Sequence, residues 1–298
     1  MSWDRILYPL DVLGCNLLGR RFVGAESVGD VLMVGKELKS QGFRVTYNLL
    51  GEHLKDSRAV NMAVISTLQL IRLMNFKNCG NVSCKPTLYG LEISKQFFLE
   101  NIEKIIELAY AKGIETEFDA ENYDHIRDTF DVFRSFASQR VYLNSVRQAA
   151  QAHLKDIFSL MDEYELWDKN IRIVKGSGVY DEANLLAGKE REEATVERYF
   201  EILKRNTGTG REPFVATVRD RKLTESVIEF TEKGGFPFEF QMLYGPMGRK
   251  LGKGLLKMGY PVRIYVPFTD SWCKDVWKPY GLRRAKMVRR LLWQELVG

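Results

Sequence analysis

Between residues 43 and 266 the chain repeats one unit: a short β-branched or aromatic run, then a longer stretch of helical periodicity. The runs expected as strands cover 43–50, 82–88, 113–118, 140–146, 171–174, 213–218, 237–243 and 262–266. Helical patterns follow the first seven, reaching residues 76, 111, 138, 166, 205, 233 and 258, and a last one opens at Pro279. Such alternation calls for a parallel sheet flanked by helices, and eight units at a spacing of about 30 residues fit a closed (β/α)8 barrel of TIM type. A doubly wound open sheet would use fewer strands and longer excursions. Residues 1–42 read as N-terminal helix, with Val28, Val31, Leu32 and Leu38 at 3–4 spacing and a stop at Gly42. No linker or low-complexity segment interrupts the count, so one domain over 1–298 is expected, with a C-terminal helix over the mouth.

In barrels of this kind the site lies at the C-terminal strand ends. The polar residues expected there are Glu52, Lys85, Asp119, Asn144, Arg172, Lys175, Thr217, Gln241 and Tyr265. A ring of such groups converging on one opening makes a ligand site the first expectation.

Charge is concentrated in the last part of the chain. Residues 274–290 hold seven Lys/Arg and one Asp, a net +6, against +5 for the whole protein. On the helix opened by Pro279, residues Tyr280, Arg283 and Arg284 stand at i, i+3 and i+4 and share a face. Two adjacent guanidiniums suit bidentate capture of a carboxylate or phosphate. A solvated basic face, a nucleic-acid contact or a membrane surface would use the same charges.

Other classes lack their marks. No P-loop, G-x-S-x-G or G-x-G-x-x-G occurs. The four cysteines are scattered, which reads as reduced thiols of a cytoplasmic protein. The three histidines, His53, His125 and His153, show no metal-type spacing, so no metal is expected. No apolar run reaches bilayer-spanning length, and the first residues carry acids where a secretory signal has a basic start.

An ordered set of motifs then resembles one family over residues 20–291. It comprises Leu49-Leu50-Gly51-Glu52, Lys85, Phe118-Asp119-Ala120-Glu121 and Arg172-Ile173-Val174-Lys175-Gly176. It continues with Val215-Ala216-Thr217, the run from Phe238 to Gly245, Arg263-Ile264-Tyr265-Val266-Pro267 and Tyr280-x-x-Arg283-Arg284. These are similar to the proline dehydrogenases, FAD-dependent (β/α)8 barrels of proline catabolism that oxidise L-proline to Δ1-pyrroline-5-carboxylate. The resemblance implies that Arg283 and Arg284 grip the substrate carboxylate with Lys85, and that Leu243, Tyr265 and Tyr280 wall the ring. It implies Asp119 and Arg172 as the catalytic pair. Ala120, Asn144, Lys175, Gly176, Ser177, Thr217 and Val218 would contact FAD, and Glu52 would gate the site against Arg283. It also implies a quinone as electron acceptor and peripheral contact with the inner face of a membrane, and it leaves no role for nucleic acid.

The chain departs from the family at several places. Asn144 stands where Gln is usual, Ser177-Gly178 replaces Ala-Tyr, Val218-Arg219 replaces His-Asn, Thr269 replaces Gly, and Met287-Val288 replaces Glu-Asn. An enzyme acting on another cyclic amino or imino acid, and a ligand-binding barrel without flavin, therefore stay open beside the leading reading.

Overall fold

Eight parallel strands close on themselves in chain order. They are β1 (Arg44–Leu49), β2 (Asn81–Cys84), β3 (Thr116–Phe118), β4 (Val146–Gln151), β5 (Ile171–Val174), β6 (Phe214–Ala216), β7 (Glu239–Leu243) and β8 (Val262–Phe268). Closure comes from β1 pairing with β8, in register from Arg44↔Arg263 to Leu49↔Phe268. The structure, a computed structural model, describes residues 19–75, 77, 79–176, 184–186, 191–216 and 221–273. The expected helix after β8, the Tyr280/Arg283/Arg284 face, Ser177, Thr217 and Val218 lie outside the described residues, as does 1–18.

Among the described residues eight α-helices accompany the strands: α1 (Val28–Ser40), α2 (Ser57–Leu73), α3 (Lys95–Ala111), α4 (Ile126–Ala137), α5 (Ile157–Glu163), α6 (Arg191–Gly208), α7 (Arg221–Gly234) and α8 (Pro246–Lys257). Their starts follow ordinary capping chemistry. Ser27, Asp56 and Ser94 accept backbone N–H groups of the first turns of α1, α2 and α3, and Pro246 opens α8. On α1 the buried residues Val28, Val31, Leu32, Gly35 and Leu38 form the stripe read from the sequence. Gly35 is required there, because a Cβ would fall 1.7 Å from the Tyr47 hydroxyl of β1.

The apolar core lies between the outer face of the sheet and the helices. Phe98, Phe118 and Phe133 stack edge to face with centroids 6.3 and 5.6 Å apart, tying α3, β3 and α4 together. The lumen, by contrast, is polar. At its N-terminal end Glu239 meets Arg44 and Arg263, and Arg147 meets Glu115 at 2.7 Å. Phe214 lies between two of these guanidiniums, 3.5 Å from Arg147 and 4.7 Å from Arg263. Buried charges persist only when paired, and these carboxylates each face an arginine.

The expected strands match in seven cases, β5 to the residue. The fourth is displaced: the run 140–146 is a turn apart from its last residue, and β4 is Val146–Gln151. The apolar residues that suggested a strand are used elsewhere. Tyr142 packs edge to face on Tyr110 of α3 and Phe136 of α4. The strand itself, Val-Arg-Gln-Ala-Ala-Gln, has weak β-propensity, and tertiary context decides it. Lys85 likewise follows β2 rather than lying inside it.

Candidate active site

Hydrogen bonds between strands that are not neighbours cross the lumen and mark the inward face. β3 and the residues flanking it present Glu115, Glu117 and Asp119 at a period of two, so three carboxylates climb one wall. Glu117 is fully buried and accepts from Thr46 Oγ1 of β1 (2.6 Å), Asn81 Nδ2 of β2 (3.1 Å), Gln241 Nε2 of β7 (3.0 Å) and Arg172 Nη1 of β5 (3.1 Å). One step higher, Asp119 accepts from Arg172 Nη2, from the Tyr265 hydroxyl of β8 at 2.5 Å, and from Asn48 Nδ2 at 3.4 Å. The Arg172 guanidinium sits 5.5 Å from the Tyr265 ring centroid. Six strands thus contribute to one ionic network in the lumen, which rises from Glu117 to Asp119 just past the end of β3.

Its protonation states follow from burial set against charge pairing. Burial pushes the Asp119 carboxyl up, but Arg172, Lys85 and the Tyr265 hydrogen bond outweigh it and hold the group below the ordinary aspartate value. Asp119 is therefore ionised at neutral pH. Burial pulls Arg172 down, and Asp119 and Glu117 more than restore it, so the guanidinium stays charged. Burial, then Asp119, raises Tyr265 well above the ordinary phenol, which keeps its proton and its role as donor.

Around this cluster the sequence expectations fare unequally. Lys85 stands at the mouth and donates to Glu52 at 2.9 Å, both side chains being more than four-fifths buried. Leu243, the last residue of β7, is in register with Tyr265 of β8. Ala120 follows Asp119 and is half-buried, and the neighbouring Glu121 accepts from the Thr87 N–H and hydroxyl. Lys175 follows β5 and pairs with Glu192 of α6. Gly176 (φ +98°) packs against His153 so closely that a Cβ would lie 1.4 Å from the ring.

Asn144 is a correction. Because β4 begins at Val146, Asn144 is an exposed turn residue at the N-terminal end of the barrel, where its side chain accepts from Arg211 Nη1 at 2.8 Å. It lies on the N-terminal side of β4, opposite the strand end that carries Gln151. The residue at the C-terminal end of β4 is Gln151, so the fourth strand does offer a glutamine there. The alternation Arg147, Ala149, Gln151, placed after the Asn144-Ser145 turn, was the available signal.

The buried polar atoms also show where a ligand is expected. Of the nine buried side-chain atoms without a hydrogen-bond partner among the described residues, three, Gln151 Oε1, His153 Nε2 and Arg172 Nε, lie on β4, the turn after it and β5. Such atoms are rare in native interiors. His153 packs against the segment Lys175-Gly176, and the Lys175 carbonyl faces its Nδ1 at 3.2 Å. This donor and acceptor set fits a large heteroaromatic ligand bearing both kinds of group, and a flavin is one.

Comparisons with known proteins place these features in a family. A family model described as Proline dehydrogenase matches residues 31–286. Proline dehydrogenase 2 of Bacillus subtilis (strain 168) is 27% identical over 263 residues, covering 87% of this chain and 84% of that protein. Proline dehydrogenase of Deinococcus radiodurans is 28% identical over 264 residues, covering 86% and 83%. Among solved structures, proline utilization A (PutA) from Bdellovibrio bacteriovorus inactivated by N-propargylglycine superposes with a TM-score of 0.75 at 20% identity, over 90% of this chain and 32% of that one. A Bradyrhizobium japonicum PutA mutant follows at TM-score 0.69 and 18% identity, over 90% and 30%. The chain thus spans about a third of the length of these PutA chains, and the likeness to them concerns the fold.

Proposed function

Because the chain belongs to the proline dehydrogenase family, we propose that it oxidises L-proline to Δ1-pyrroline-5-carboxylate, with a hydride leaving C5 and a proton leaving the ring nitrogen. FAD, when bound, supplies the two-electron acceptor. The observation that carries the reading is the buried Asp119–Arg172–Tyr265 cluster in the lumen, next to unpartnered buried groups on β4 and β5.

In this reading Arg283 and Arg284 hold the substrate carboxylate and Lys85 adds charge. Leu243, Tyr265 and Tyr280 enclose the ring and exclude water, so that the reacting carbon is held in one pose. Asp119 stays ionised and fixes Arg172 and the Tyr265 hydroxyl, which gives the mouth a rigid floor. Ala120, Lys175, Gly176, Ser177, Thr217, Val218 and Arg172 would hold FAD, with Gln151 in the place first assigned to Asn144. Glu52 gates the mouth, exchanging its Lys85 partner for Arg283 as the loop closes. The electrons pass on to a quinone, and outer cations such as Arg289 and Arg290 touch an anionic membrane from the cytoplasmic side. No helix among the described residues is long and apolar enough to cross a bilayer.

The test is the visible spectrum of the purified protein before and after anaerobic L-proline. Yellow protein bleached by proline is expected. A colourless preparation that stays so under excess FAD refutes the flavin, and bleaching only by another cyclic amino acid replaces the substrate.

A further inference from the structure

Two imidazoles and a carboxylate meet at the rim of the mouth, each from a different loop. His53 lies between β1 and α2, Glu92 between β2 and α3, and His125 closes the short 3-10 turn before α4. His53 Nδ1 is 2.6 Å from Glu92 Oε1, and His125 Nε2 is 3.3 Å from the same oxygen. One ligand atom from each of the three lies within 4.8 Å of the others. Ligand atoms of a tetrahedral zinc centre with bonds of about 2.0–2.1 Å are about 3.3 Å apart. The Glu92–His125 edge already has that length, the His53–Glu92 edge needs to open by less than an ångström, and the His53–His125 edge lies within 4.8 Å.

The loops are built to hold the set. His53 is a non-glycine residue in the left-handed region (φ 57°), a conformation that costs energy and persists only where surroundings enforce it. Here Thr87 enforces it: its hydroxyl accepts the His53 N–H at 2.9 Å and its carbonyl the Leu54 N–H at 3.2 Å. Thr87 in turn is anchored to buried Glu121. His125 is fixed by its N–H to Asn122 O at 3.1 Å and by the Thr129 hydroxyl on its own carbonyl at 2.7 Å. The side chains of Glu92 and His125 are only 18% and 20% exposed, and that of His53 is 40% exposed. An ion can reach the site from solvent while two of its three ligands are held by the protein. An isolated surface His–Glu pair needs neither the strained backbone nor a second imidazole on the same oxygen.

We propose that His53 Nδ1, a Glu92 carboxylate oxygen and His125 Nε2 bind a borderline divalent transition metal, zinc foremost, at the rim of the barrel mouth. Two imidazoles and one carboxylate suit Zn2+ and its neighbours, whereas Mg2+ and Ca2+ seek all-oxygen shells. Three protein ligands leave a coordination position to water. The ion staples the first three βα loops together. Because His53 directly follows Glu52, it also restrains the carboxylate that meets Lys85.

The full-length protein, freed of adventitious metal by dialysis against a chelator, is titrated calorimetrically with zinc chloride and, separately, magnesium chloride. One Zn2+ per chain with micromolar or tighter affinity and no Mg2+ uptake is expected. His53→Ala and His125→Ala should each weaken zinc binding about tenfold or more, as should Glu92→Gln. Zinc should raise the melting temperature of the parent protein but not of these variants, since only a bound ion shifts the folding equilibrium. Their metal-free melting curves show whether they fold, and a double His53→Gln/His125→Gln variant replaces any that does not. Absence of stoichiometric zinc overturns the assignment, and so does zinc binding that survives the double substitution.

Discussion

His153 gives a pH dependence whose size follows from its surroundings. The residue follows β4 and is almost completely buried, its ring filling the space over Gly176. Nδ1 faces the Lys175 carbonyl at 3.2 Å and must carry the proton, while Nε2 has no partner among the described residues. Burial pulls the imidazole pKa down to about 4 from an ordinary 6.5, with Arg191 assisting and the carbonyl opposing. A histidine whose folded pKa is depressed destabilises the fold on acidification: between the two pKa values the unfolded chain binds one more proton. Stability then falls by about 1.36 kcal/mol per pH unit below about 6.5 and levels off below about 4. From pH 7 to pH 5 this one ring removes about 2 kcal/mol, a sizeable part of a typical stability of about 5–15 kcal/mol. Urea unfolding of the parent and of His153→Gln at pH 7, 6 and 5 isolates the effect, because the other titrating groups cancel in the difference. The parent should lose about 2 kcal/mol more than the variant over that range. Parallel curves would falsify the reasoning, since they would mean that the ring titrates in the fold as it does in water.

The other expectations concern the mouth. Arg172→Met leaves Glu117 and Asp119 buried without their shared cation, so urea unfolding should show a loss of about 3–5 kcal/mol; a loss below about 1 kcal/mol would mean that water already screens the cluster. Gln151→Ala should weaken FAD binding by about 1 kcal/mol in a fluorescence titration, whereas Asn144→Ala should leave it unchanged. The reverse order would place the flavin contact at Asn144 rather than Gln151. Arg284→Met should raise the KM for proline by an amount equivalent to about 2–4 kcal/mol with flavin content intact, and unchanged kinetics would place that helix face in solvent.

Much of the molecule is legible in the chain alone. Eight strand-and-helix units leave few alternatives to a closed parallel barrel, because each strand must be covered and each crossover must turn the same way. The motif residues Asp119, Arg172 and Tyr265 fall on or directly after strands, and a closed barrel brings the inward faces of its strands together whatever the loops do. Short-range chemistry fixed the caps at Ser27, Asp56 and Ser94 for the same reason: each satisfies a neighbour within three residues. Tertiary structure decided the rest. Tyr142 and Leu143 read as strand, yet Tyr142 is taken up by Tyr110 and Phe136, and an Ala- and Gln-rich segment becomes β4 because its inner face looks into a polar lumen. Glu117 becomes the centre of the lumen only because Thr46, Asn81, Arg172 and Gln241 arrive from four other strands. His53, Glu92 and His125 carry no spacing that suggests a metal, since 39 and 33 positions separate them. Neighbouring βα loops close that distance to hydrogen-bond range, and a sequence pattern records neighbours along the chain, not neighbours around a barrel.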